Sequence, residues 1–180
     1  MRVAVIASAS GNGKTTLGRD LARRLGVPCH ELDALHHGPG WAEAKSDELR
    51  RAVEPLVAED AWVVDGTYRG KLGDLVLERA DLVVWLDLPL RVWLPRLLRR
   101  TVRRITTREE LWNGNRETLR GVVWGRHALI PYALRTHRAR RRRYPVELAR
   151  FPVVRLRTPA DVEALTRALD PGRSPAQAGR

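Results

Sequence analysis

Eight residues near the start of the chain restrict what it can fold into more than any other stretch. They are Ser8-Ala9-Ser10-Gly11-Asn12-Gly13-Lys14-Thr15, running into Thr16. The apolar run Val3-Ala4-Val5-Ile6-Ala7 precedes them, and Leu17, Leu21, Ala22 and Leu25 follow at helical spacing. Strand, glycine-bearing loop and helix together are the setting of a phosphate-binding loop, G-x-x-x-x-G-K-[ST]. Gly13, Lys14 and Thr15 fill its last three places, whereas Ser8 stands where the first glycine is usual. In such a loop successive backbone N–H groups curl around phosphate, helped by the positive end of the following helix. Gly11 and Gly13 permit the backbone angles and the close approach this needs. Ser10 through Thr16 are therefore the expected nucleotide-binding residues, with Lys14 reaching the β- and γ-phosphates and the Thr15 hydroxyl ligating Mg²⁺. Ser8 is small enough to be tolerated at the start of the loop.

The rest of the chain alternates. Strands are expected at residues 2–7, 29–32, 61–66, 82–87 and 152–156, and a helix after each. Helix one runs to Leu25, with Gly26 as its cap and Pro28 as a stop. Residues 34–44 read as an irregular loop, and Ser46 starts a helix to about Glu59 that Pro55 could kink or shorten. Arg69–Ala80 is weakly helical, and a helix after Pro89 runs toward Arg104. Glu109–Leu119 and Gly121–Arg143 are helical candidates, with Pro131 as an interruption. Thr158 and Pro159 open a last helix, Asp161–Leu169. Residues 170–180, rich in Pro, Gly, Ala and Ser, are expected to be disordered. No internal repeat is visible. This alternation implies a parallel sheet covered by helices on both faces, with ligands at the carboxyl ends of the strands. The phosphate loop, Asp33 and Asp65 all fall there.

The 180 residues suit one domain with a real core. No apolar run reaches the ~18 residues of a membrane span, and Met1 leads straight into a strand without the layout of a signal peptide. A single cysteine, Cys29, excludes an internal disulfide, so the cytoplasm is the expected compartment. The net charge is +12, and of 33 basic residues only Lys14, Lys45 and Lys71 are lysine. Arginine dominance reads as codon bias, but the location of the charge does not. Residues 91–143 hold 16 Arg against Glu109, Glu110 and Glu117, which leaves the remainder near neutral. Triphosphate chemistry needs such a region, and so does nucleic-acid binding.

Five ordered segments carry a family resemblance: Ser10 through Leu17; Leu32-Asp33-Ala34-Leu35-His36 with Pro39-Gly40-Trp41; Trp62 through Arg69; Leu86-Asp87-Leu88-Pro89 with Arg96 and Arg100; and Leu111 through Glu117. Together they resemble P-loop kinases of the adenylate-kinase-like group, most of all the bacterial adenylate-kinase-related or "DNA topology modulation" proteins. The resemblance implies a three-layer α/β/α P-loop NTPase fold with a five-stranded parallel sheet of order 2-3-1-4-5. It also implies one kinase-like domain over residues 1–169, with a helical lid at about 101–144.

Asp65-Gly66-Thr67-Tyr68-Arg69 is similar to the Asp-Gly-Phe-Pro-Arg stretch of adenylate kinases. That likeness implies Asp65 on hydrated Mg²⁺ and Arg69 on phosphate, with Thr67-Tyr68 as the departure. Asp33 is the candidate to accept a proton from an acceptor hydroxyl, or to bind Mg²⁺ or a substrate group. Arg96 and Arg100, four apart on one helix face, are the candidate phosphate clamp, and Arg99 is a weaker one. Trp41, with Trp112 and Trp124, could stack on a base. His36 and His37 read as loop histidines, and Arg138 with Arg140–Arg143 as lid arginines or a solvated helix end. The function expected is ATP- and Mg²⁺-dependent phosphoryl transfer to a nucleotide or small molecule, with Lys14, Asp33 and Arg100 catalytic. The alternative is a regulatory ATPase that engages nucleic acid through the arginine-rich region.

Overall fold

The computed structural model describes residues 1–118, 121–122 and 128–169. Five parallel strands form one sheet: β1 (Arg2–Ala7), β2 (Cys29–Glu31), β3 (Trp62–Asp65), β4 (Leu82–Leu86) and β5 (Val153–Leu156), in the order β2-β3-β1-β4-β5. The strand β1 lies at the centre. Val3 of β1 pairs with Val63 on one side and Leu82 on the other.

Because side chains alternate along a strand, β1 feeds two cores. Val3, Val5 and Ala7 pack with Leu17, Leu21 and Ala22 of α1 (Lys14–Leu25) and partly with Val162 and Leu165 of the C-terminal helix Pro159–Ala168. Ala4 and Ile6 face the opposite layer. That layer is built by α3 (Ser46–Ala58), through Leu49, Val53 and Val57, and by α4 (Arg69–Leu72) and α5 (Leu75–Arg79), through Leu72, Val76 and Leu77. Each such side chain, fully buried, contributes roughly 1.5–3 kcal/mol. A third cluster joins Ala9 of the phosphate loop to Trp93 and Leu97 of α6 (Leu90–Thr106) and Ala133 of α7 (Leu129–Glu147).

Three sequence expectations are corrected. Residues 34–44 are not irregular: Leu32–His36 forms a short helix, α2, and Pro39–Trp41 a 3-10 turn. Asp33 thus sits in the first turn of a helix rather than at the end of a strand. Residues 109–118 are not helical either, since Glu110 bridges Arg116 around a 3-10 turn at Trp112–Gly114. The Asn113-Gly114 pair is the missed signal, because consecutive positive φ values favour Asn-Gly. Finally, Pro131 does not interrupt a helix but sits in the first turn of α7, where its missing N–H costs nothing. Pro55, likewise, lies inside α3 without ending it. The last helix, α8, starts at Pro159, with Thr158 and Asp161 forming a reciprocal capping box. Trp124 and residues 170–180 lie outside the described residues.

The two short turns are copies of one another. His37 bridges Glu43 as Glu110 bridges Arg116. Gly40 and Trp41 have φ of 68° and 62°, and Asn113 and Gly114 have 57° and 78°. The copies dock together. The Asn115 side chain accepts from the Trp41 N–H at 2.8 Å and donates to the Gly38 carbonyl at 2.9 Å. Asn113 donates to the His37 carbonyl at 2.6 Å.

Candidate active site

A cleft of 2130 Å³ opens along the carboxyl ends of the strands. That is more than twice the ~300–1,000 Å³ of a single small-molecule site, so there is room for a donor and an acceptor together.

The phosphate loop forms its floor. Gly13 takes φ 89° and caps α1, whose first turn carries no acid, leaving the positive helix end for an anion. Gly11 has φ 83°, and a Cβ there would lie 2.8 Å from Leu97 Cβ and 2.9 Å from the Trp93 carbonyl. Only glycine fits between loop and α6. Asn12 is buried and spends its side chain internally, donating to the Ala9 carbonyl at 2.9 Å and accepting from the Leu88 N–H at 3.1 Å. Ser10 is half-buried and Thr16 exposed.

Lys14, Thr15 and Asp65 converge at the loop. The Lys14 ammonium pairs with Asp65 Oδ1, and Thr15 Oγ1 donates to Oδ2 at 2.5 Å. Asp65 is 2 % exposed. Burial raises its pKa, and Lys14 and Thr15 offset that only in part. A buried carboxylate beside a hydroxyl is a hard-oxygen pair of the kind that suits Mg²⁺, which keeps most of its shell as water and phosphate oxygens. Among the described residues no cluster of three His, Cys, Asp or Glu side chains could hold a metal.

Asp33 faces the cleft from α2, 2.7 Å from the hydroxyl of Tyr68, which donates to it. Burial and the Asp33 charge both raise the Tyr68 pKa, so this hydroxyl stays protonated and always donates. Tyr68 holds φ 42°, a strained angle for a non-glycine residue. His36 is buried against the Tyr68 ring, 4.3 Å between centroids. Burial, with Lys71 nearby, lowers its pKa and keeps it neutral.

Of the arginines on α6, Arg96, Arg100, Arg103 and Arg104 line the cleft, the i, i+4, i+7, i+8 spacing of one helix face. Arg99 is not among the lining residues. Arg100 is largely withdrawn from water with its Nε unpartnered. Desolvation, then Arg104, lowers its pKa. Arg104 instead pairs with Glu117 at 2.8 Å. Arg69 also lines the cleft, but its guanidinium is engaged by Asp74 at 2.6 Å and Glu147 at 2.7 Å. Trp41 lies at the rim, 39 % exposed, its ring 5.4 Å from that of His37.

Three arginines of the 138–143 run make contacts inside the protein: Arg140 with the Ala7 carbonyl at 3.1 Å, Arg141 with Asp87 at 3.2 Å and Arg143 with Glu147 at 2.6 Å. Sequence reasoning missed Tyr68, Arg104, Ser8 and Asp87 as members of these networks. The Asp-Gly-Thr-Tyr departure at Tyr68 was the one available signal.

No protein-family model matches the chain. No curated protein matches it. Solved structures do. A deoxyadenosine kinase from M. mycoides with bound dATP superposes with a TM-score of 0.58 at 13 % identity, over 94 % of this chain and 99 % of that one. A shikimate kinase from Acinetobacter baumannii in complex with shikimate gives 0.57 at 16 %, over 94 % and 91 %. A gluconokinase from Sinorhizobium meliloti 1021 gives 0.54 at 20 %, over 95 % and 90 %. At these identities the likeness defines the fold alone. The chain is similar in architecture to P-loop kinases: a three-layer α/β/α unit with sheet order 2-3-1-4-5. Among the described residues no helix is long and apolar enough to cross a membrane.

Proposed function

We propose that the chain is a P-loop kinase that transfers the γ-phosphoryl group of ATP to a hydroxyl of a small-molecule or nucleotide acceptor. The observation that carries this reading is the facing arrangement in one cleft. Lys14, Thr15 and Asp65 meet at the phosphate loop, Asp33, held by Tyr68, lines the same cleft, and Arg100 lines it too, its Nε unpartnered among the described residues. Neighbours of this fold named as deoxyadenosine, shikimate and gluconate kinases support the reading without choosing the acceptor.

In this reading the loop amides and Lys14 cradle the donor phosphates, and Lys14 exchanges Asp65 for a phosphate oxygen. Thr15 and Asp65 would hold Mg²⁺, which would supply positive charge to offset that of the donor phosphates. Asp33 orients the acceptor hydroxyl and takes its proton. Arg100 and Arg96 stabilise the charge that spreads over the transferred group, the main requirement of phosphoryl transfer. Arg69 supports the wall beside Asp74 and Glu147 instead of holding substrate. Such a protein would work in the cytoplasm.

The test is MgATP consumption against a panel of nucleosides, nucleotides, sugars and hydroxy acids. One acceptor should stimulate turnover, and Lys14→Ala should abolish the stimulation. Turnover unchanged in Lys14→Ala would overturn the assignment.

A further inference from the structure

Ser8 is buried to 0 % exposure and uses both faculties of its hydroxyl. It donates to Asp87 Oδ1 at 2.7 Å and accepts from the Trp85 indole N–H at 2.9 Å. Asp87 is itself 1 % exposed. Besides Ser8 it takes Arg155 of β5 at 2.5 Å and Arg141 of α7 at 3.2 Å. Arg155 also stacks over the Trp85 ring, 4.2 Å from its centroid. One helical position earlier, Arg140 donates to the carbonyl of Ala7, the residue before Ser8. Thus the point where the chain leaves β1 for the phosphate loop is gripped by α7, β4 and β5 through one carboxylate. The α7 so placed supplies a wall of the cleft, including Tyr132, Arg143 and Tyr144.

A serine at this position is therefore not a tolerated substitute for the usual glycine. A glycine would strip Asp87 Oδ1 of its short hydrogen bond and orphan a buried indole N–H. It would also free the loop's first residue from α7. We propose that Ser8, Asp87 and Arg141 form a brace that sets nucleotide affinity by fixing α7 and the start of the phosphate loop relative to each other. Ser8 and Arg141 are positioning residues, acting on the bound nucleotide through Asp87. The inference rests on the kinase reading above and deepens it.

MgATP binding by calorimetry to the full chain tests it, with thermal melting of each protein in parallel. Ser8→Gly, which restores the common motif, should weaken MgATP by about tenfold. Arg141→Gln lies on the half-exposed end of the brace, folds regardless of the buried end, and should weaken MgATP in the same direction. The Ser8→Gly/Arg141→Gln double variant should lose less than the product of the two, since both act through one carboxylate. Binding by Ser8→Gly and Arg141→Gln equal to wild type, at a temperature where they remain folded, overturns the brace even if melting temperatures fall. Additive losses in the double variant overturn it as well. A wild-type chain that binds no MgATP overturns instead the kinase reading on which the brace depends.

Discussion

The hydroxyl of Tyr68 lies 2.7 Å from Asp33 and donates to it, across 35 residues of sequence and from a backbone angle that a tyrosine rarely adopts. The hydrogen bond holds the carboxylate toward the cleft. Asp33→Asn should lower kcat by about 10²–10⁴, the usual worth of a positioned base. Tyr68→Phe should lower kcat by a smaller factor and leave MgATP affinity unchanged. Steady-state kinetics with each substrate varied separately checks both. Equal kcat in Tyr68→Phe and wild type would remove Tyr68 from the site.

Asp65 makes a pH-dependent contribution of unusual sign. Burial raises its folded pKa above the ordinary 3.8, so the native state binds that proton more tightly than the unfolded chain. Its contribution to stability therefore falls as pH rises from about 3.8 through the raised value, and the full cost remains above it. Asp65→Asn removes the titration. The stability of the variant minus that of wild type, from urea melts without nucleotide, should increase with pH across this window and then level off. A difference independent of pH would contradict the assignment. The same variant should be inactive.

Arg100 presents the same conflict between stability and use. Its Nε is buried and unpartnered among the described residues, and burial, with Arg104 beside it, disfavours its charge. Arg100→Met should raise the unfolding free energy of the ligand-free protein by about 1 kcal/mol or more. It should also reduce turnover by roughly 10²-fold. A loss of stability in the ligand-free protein would show that Arg100 is structural.

Asn115 fastens the two matching turns to each other. It is 4 % exposed and bonds Trp41, Gly38 and Trp112. Asn115→Ala should cost about 1–3 kcal/mol locally and release the Trp41 amide to hydrogen exchange while amides of β1 stay protected. Exchange at Trp41 no faster than in wild type would show that the turns hold together without it.

Much of this architecture was legible in the sequence. Short apolar runs and helical spacing are local signals, and they placed all five strands and the main helices that cover the sheet. The loop from Ser10 to Thr16 was legible because its two glycines and its lysine fall within four residues. Residues 109–116 were misread because Glu109, Glu110 and Leu111 suit a helix, while the Asn113-Gly114 turn that breaks it occupies only two positions. The Tyr68 partner of Asp33, the Ser8 partner of Asp87 and the Glu147 partner of Arg69 were not legible, because they lie 35, 79 and 78 positions away in sequence. Arg69, expected on phosphate by family resemblance, is engaged by Asp74 and Glu147.

The contact between Gly11 and α6 has a mechanical consequence. With no room for even a methyl group between the loop and Trp93 or Leu97, the first half of α6 packs directly on the loop. Under the kinase proposal, any closure of α6 over substrate would therefore have to bend beyond Leu97, with Arg100 and Arg104 on the moving side and the donor phosphates seated before the arginines arrive.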